Sequence, residues 1–113
     1  MSQNKQTVEK FLDAVTNSDH QQVLSCLTDD VEWEVPGMFH LRGKDAFDQE
    51  IEHAGSPTIN ITRLTEENDV VVAEGSVRSQ RKDGGFLDRA FCDVFVMRNA
   101  RIQRLTTYLM EVK

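Results

Sequence analysis

Apolar positions recur with a helical period in the first half of the chain and with a period of two in the second. Val8, Phe11, Leu12 and Val15 stand at i, i+3, i+4 and i+7, one face of a helix that stops at Asn17-Ser18. Asp19 restarts a helix as N-cap, with Gln22 in capping-box position, and Val23, Leu24 and Leu27 form its apolar face up to Thr28-Asp29-Asp30. Val31, Trp33 and Val35 then alternate with Glu32 and Glu34 as in a half-buried strand, which Pro36-Gly37 breaks. Gly43 opens a third helix with apolar Phe47, Ile51 and Ala54, closed by Gly55 and Pro57. From residue 57 onward four strands are predicted, at about 57–66, 70–81, 86–98 and 101–112, separated by short turns. The order α-α-β-α-β-β-β-β defines an α+β fold, with helices packed on one face of a mostly antiparallel, curved sheet.

Composition bounds the function. A chain of 113 residues with 39% hydrophobic residues is expected to form a single domain, with one core and at most a small pocket beside it. Residues 1–56 carry a net charge of −7 and residues 57–113 a net of +1. An acidic chain without a basic stripe is a poor partner for nucleic acid or an anionic membrane. Cys26 and Cys92 lie in no metal-binding motif, and no His/Asp/Glu/Cys cluster has ligand spacing, so neither metal nor cofactor is expected. With no apolar signal segment at the start, a cytoplasmic protein with reduced thiols is expected.

Several motifs then occur in order. They are Asp29-Asp30-Val31-Glu32-Trp33, Pro36-Gly37, Arg42-Gly43-Lys44-Asp45-Ala46, Asp69 through Gly75, Cys92-Asp93-Val94-Phe95 and Leu105-Thr106-Thr107-Tyr108-Leu109. Together they resemble the SnoaL-like, nuclear-transport-factor-2-like superfamily over nearly the whole chain. The resemblance implies a cone-shaped sheet around a pocket, with functional positions on the last strands. It does not imply one activity, because the superfamily includes isomerases, hydrolases, cyclases and non-catalytic binding modules. The ketosteroid isomerase pattern would need acids or donors where this chain has Val35, Phe11 and Phe95. Without them no base can take a proton and no donor pair can hold an enolate. The epoxide hydrolase pattern would match Arg78, but Gln80 and Thr107 stand where it needs Asp.

A different polar set remains. If Glu74, Ser76 and Arg78 share one strand face, they can lie opposite Asp93, with Thr107 on the last strand. Arg78 and Asp93 would then pair in an apolar cone, either to orient a substrate carbonyl or only to fix the sheet. His40, on an irregular segment near the expected pocket mouth, is the third catalytic candidate. Trp33, Phe39, Phe47, Phe91, Phe95, Leu105 and Leu109, with Ser76 and Thr107, are the candidate ligand-binding residues. Cys92 is out of phase with Asp93 and is expected to face away from the pocket.

An outer sheet face of Val71, Val77, Val94 and Tyr108 predicts a homodimer through the sheet. The function expected is binding of a small hydrophobic molecule. The alternative is a cofactor-independent isomerase, lyase or hydrolase acting on a small hydrophobic carbonyl or epoxide.

Overall fold

The computed structural model describes residues 2–112. Helices α1 (Gln3–Thr16), α2 (His20–Ser25) and α3 (Lys44–Ala54) pack on one face of a sheet. The strands are β1 (Leu27–Val35), β2 (Phe39–Arg42), β3 (Thr58–Glu67), β4 (Val70–Gln80), β5 (Phe86–Arg98) and β6 (Arg101–Glu111). Their order in the sheet is β2-β1-β6-β5-β4-β3, and only the β1–β6 pair is parallel.

The helix ends follow the local chemistry. The Ser2 and Asp19 side chains accept backbone N–H bonds from Lys5 and Gln22, satisfying donors the first helical turn leaves free. Helix α3 starts at Gly43 (φ 92°) and ends at Gly55 (φ 77°), two conformations that cost glycine nothing. His20 ties α2 to α3 by contacts with Asp48 at 2.6 Å and Glu52 at 2.8 Å.

Three expectations need correction. The segment holding His40 is not irregular: it forms β2, which adds a sixth strand and pairs His40 with Glu34 of β1. The preceding strand also begins earlier, at Leu27, where an irregular register with β6 hides it from a simple period-two pattern.

The third correction concerns the faces of β4. Asp93 lies directly opposite Ala73, so the odd-numbered residues of β4 share its inward face. Val71 and Ala73 are fully buried there and Val77 packs against the core. Glu74, Ser76 and Arg78 therefore point outward, and Val71 and Val77 do not belong to the outer face. Val94 and Tyr108 do face outward, Tyr108 being 52% exposed.

Sheet curvature has a visible origin. The β3–β4 register shifts between Ile61 and Arg63, and Gly75 stands opposite Ile61 at that bulge. A Cβ on Gly75 would lie 2.0 Å from the Asn60 carbonyl oxygen, so only glycine lets the strands come this close. The bend wraps the sheet around α1 and α3 and leaves an open cavity between them.

Candidate functional site

The cavity has a volume of about 260 Å³ and a mostly apolar wall. Its floor is deep: Phe11 from α1, Leu105 and Thr107 from β6 and Asp93 from β5 are all buried. The mouth lies at Ala54, Pro57 and Gln80, and Ala54 and Gln80 are exposed. Between floor and mouth, Phe91, Leu109, Ile59 and Val77 form an apolar collar.

Asp93 is the unusual group at the floor. It is only 7% exposed, and its Oδ1 is buried with no hydrogen-bond partner. Burial pushes its carboxyl up to about 7, against an ordinary value of 3.8, because a charge is poorly solvated there. A hydrogen bond from Thr107 works in the opposite direction, against the larger effect of burial. The Thr107 Oγ1 in turn accepts the Trp33 Nε1–H at 3.1 Å. An indole N–H can only donate, so the single hydroxyl proton of Thr107 is left for Asp93. Trp33, Thr107 and Asp93 thus form an ordered chain that ends on a carboxyl able to hold or release a proton near neutrality.

Three strands position this chain. The register sets Asp93 opposite Thr107, and the parallel β1–β6 pairing sets Trp33 opposite Leu105, within reach of Thr107. Trp33 is locked by stacking on Phe47, with ring centroids 4.7 Å apart, and by an edge contact with Phe39 at 5.2 Å. Phe11 is held in the same way between Phe47 and Phe95.

The structure therefore divides the candidates. Asp93, Trp33, Phe91, Leu105, Thr107 and Leu109 lie on the cavity wall. Phe39, Phe47 and Phe95 do not; they pack behind it and support Trp33 and Phe11. Ser76 faces outward. Arg78 does not meet Asp93: its Nε donates to Asp88 Oδ1 at 2.7 Å on the exposed face, directly across the ladder. His40 is also turned away from the cavity, with Nε2 3.5 Å from Glu32 Oε1.

One charged residue of the described cavity wall was missed. Arg89 shares the inward face of β5 with Phe91 and Asp93 and lines the cavity nearer its mouth. The signal was available, since Arg89 has the same parity as Asp93 along an alternating strand. Among the described residues no group of three His, Cys, Asp or Glu side chains could hold a metal ion. No described helix is long and apolar enough to cross a membrane.

A curved sheet closed by helices over an apolar cavity, with one buried acid at its floor, defines the class. The chain belongs to the SnoaL-like domain family, whose model matches residues 8–105. The structure is similar to an M. tuberculosis LEH-like epoxide hydrolase, with a TM-score of 0.86 and 23% identity over 96% of this chain and 83% of the other. It is also similar to an NTF2-like protein of unknown function from Burkholderia pseudomallei K96243, with a TM-score of 0.90 and 23% identity over 97% and 92% of the two chains. A third similar structure is TerC co-crystallized with polyporic acid, with a TM-score of 0.85 and 20% identity over 94% and 90%. At these identities the likeness establishes the cone fold. No curated protein matches the chain.

Proposed function

We propose that this protein binds a small, mainly apolar molecule in the cavity and holds one of its oxygens against Asp93. The observation that carries this reading is the unpartnered Asp93 Oδ1, buried in an apolar cavity that opens to solvent. A polar atom left in such a place lacks the partner that a buried group normally has, and a ligand oxygen would supply one. In its protonated form Asp93 donates to a carbonyl; once ionised it can only accept. The neighbouring folds named for an epoxide hydrolase and for a complex with polyporic acid support a small organic ligand.

Trp33 gives a direct readout, as the sole tryptophan and part of the cavity wall. Acetophenone and ethylbenzene have nearly the same shape and differ in one oxygen. Acetophenone should change Trp33 fluorescence saturably, bind more tightly than ethylbenzene, and bind better at about pH 6 than at about pH 9. Asp93→Asn should remove the pH dependence and Asp93→Leu the preference for the ketone. Equal, pH-independent binding of both compounds would refute the role given to Asp93.

The same carboxyl favours a second reading. A proton affinity near neutrality suits a group that takes a proton and returns it. The protein would then be a cofactor-independent isomerase, lyase or hydrolase of a small hydrophobic carbonyl or epoxide. Turnover that Asp93→Asn abolishes while ligand binding persists is the result that separates catalysis from binding alone.

A homodimer through the outer sheet face is also proposed, on a narrower basis than the valine pattern first offered. Tyr108 and Met110 are exposed there beside Cys92 and Ala90, around a shallow apolar groove. Sedimentation should show a dimer that Tyr108→Glu dissociates. Both described cysteines are unpaired, which supports a cytoplasmic setting.

A further inference from the structure

Among the described residues Arg89 is the one cation on the cavity wall. It is half-buried, and its Nε is fully enclosed with no hydrogen-bond partner. Its only described polar contact is a long one, from Nη2 to Ser79 Oγ at 3.4 Å. The carboxylate opposite it on β6, Glu111, is engaged by Arg81 at 3.3 Å instead. No described carboxylate forms an ion pair with Arg89, whereas Arg63, Arg78, Arg98 and Arg104 all have one on the outer surface. A half-buried guanidinium whose Nε is enclosed without a partner, and which has no described counter-charge, carries a desolvation cost that an anion arriving from the cavity would offset.

The placement relative to Asp93 adds a second constraint. Arg89 and Asp93 are four residues apart on one face of β5, so their Cα atoms are separated by roughly 13 Å along the strand. Phe91 lies between them on the same face and presents an apolar surface. The wall of the cavity therefore reads, from mouth to floor, as cation, apolar collar and acid. We infer that the ligand is a small aromatic or alicyclic carboxylate, its carboxylate held by Arg89 at the mouth and a carbonyl or hydroxyl oxygen at its other end facing Asp93. This rests on the reading of Asp93 given above and adds the anionic end of the molecule. A neutral hydrophobe of the same shape would leave Arg89 unanswered and is discriminated against. Once Asp93 is ionised, an anion entering the wrong way round would meet a like charge there and be rejected.

The test uses the intact protein and Trp33 fluorescence at about pH 6, where Asp93 still holds its proton and an ordinary carboxylate is ionised. The probes are 4-acetylbenzoate, its neutral isostere 4-acetylbenzamide, and acetophenone. Wild-type protein should bind the benzoate at least about tenfold more tightly than the benzamide, the advantage expected of a charge-assisted hydrogen bond. Arg89→Met should erase that advantage and leave acetophenone within about threefold of wild type. Arg89→Lys should restore part of it, and Arg89→Gln serves the same purpose if the methionine variant does not fold. A benzoate that binds no better than the benzamide to wild-type protein overturns the inference without any variant. So does an Arg89→Met protein that loses acetophenone as much as the benzoate. Arg89-dependent benzoate binding without any acetophenone binding would uphold the anchor and refute the role of Asp93. Binding of none of the three refutes both.

Discussion

Replacing Asp93 by asparagine should make the protein more stable at alkaline pH. In the unfolded chain Asp93 releases its proton near its ordinary value of 3.8, but burial in the folded chain delays release to about 7. Between those values the folded state binds more protons than the unfolded one, so stability falls as pH rises and levels off above about pH 7. The separation corresponds to ~4 kcal/mol at ~1.36 kcal/mol per pH unit. Water entering from the cavity mouth eases the burial of the charge, so about 2–4 kcal/mol is expected. Asparagine is neutral throughout and resembles the protonated acid, so the two proteins should agree within about 1 kcal/mol near pH 4. By about pH 9 the variant should be ahead by the full amount, roughly 8–16 °C in Tm for a domain of this size. The assay is urea unfolding followed by circular dichroism across this pH range. Carboxylates distant from the cavity, such as Asp88 and Glu74 on the outer face, titrate identically in both proteins, so they drop out of the difference. Parallel stability curves from pH 4 to pH 9 would refute the proposed state of Asp93.

Three further outcomes follow from particular contacts. Thr107→Val removes the acceptor of Trp33 and the donor to Asp93 together. It should cost about 1–3 kcal/mol in urea unfolding and move the acid–base midpoint of Asp93, read by NMR, further upward. Gly75→Ala puts a methyl group 2.0 Å from the Asn60 carbonyl oxygen and should lower stability by about 3 kcal/mol or more, or prevent folding; a Tm within a degree of wild type would contradict the close approach. Arg78→Ala removes an exposed ion pair with Asp88, so stability should change by less than about 1 kcal/mol and ligand binding by nothing measurable.

Most of the fold was legible because each element carries its own local signal. Strands β3 to β6 fall where the period-two segments and their turns place them, and the caps at Asp19, Gly43 and Gly55 mark helix ends by local chemistry. Strand β2 was missed because Phe39-His40-Leu41-Arg42 is too short for alternation to stand out, and it exists only through pairing with β1. The site was legible in part for a related reason. Alternation along β5 separates Asp93 from Cys92, yet it says nothing of the phase of the neighbouring strand. That phase follows from the register, in which Asp93 meets Ala73, and register is a tertiary property. The sequence does carry a clue to it in the plain contrast on β4 between Val71, Ala73 and Val77 and the charged Glu74 and Arg78, which puts Arg78 in solvent and leaves Arg89 as the arginine on the inward face. The proton affinity of Asp93 had no signature in sequence, because it arises from the depth of the cavity.

The contact between Trp33 and Thr107 joins residues 74 positions apart. Closing a loop of that length costs roughly 4 kcal/mol in chain entropy, which must be met before the parallel β1–β6 pairing returns anything. Hairpins β3–β4, β4–β5 and β5–β6 can each form between near neighbours, but the floor of the cavity cannot. A chain in which those hairpins have paired and β1 has not yet docked has the acid and the arginine on one strand, with neither a lid of helices nor an indole to order Thr107. Competence to hold a ligand therefore arrives with the most distant pairing in the sheet, and the fluorescence of a single tryptophan marks the moment it does.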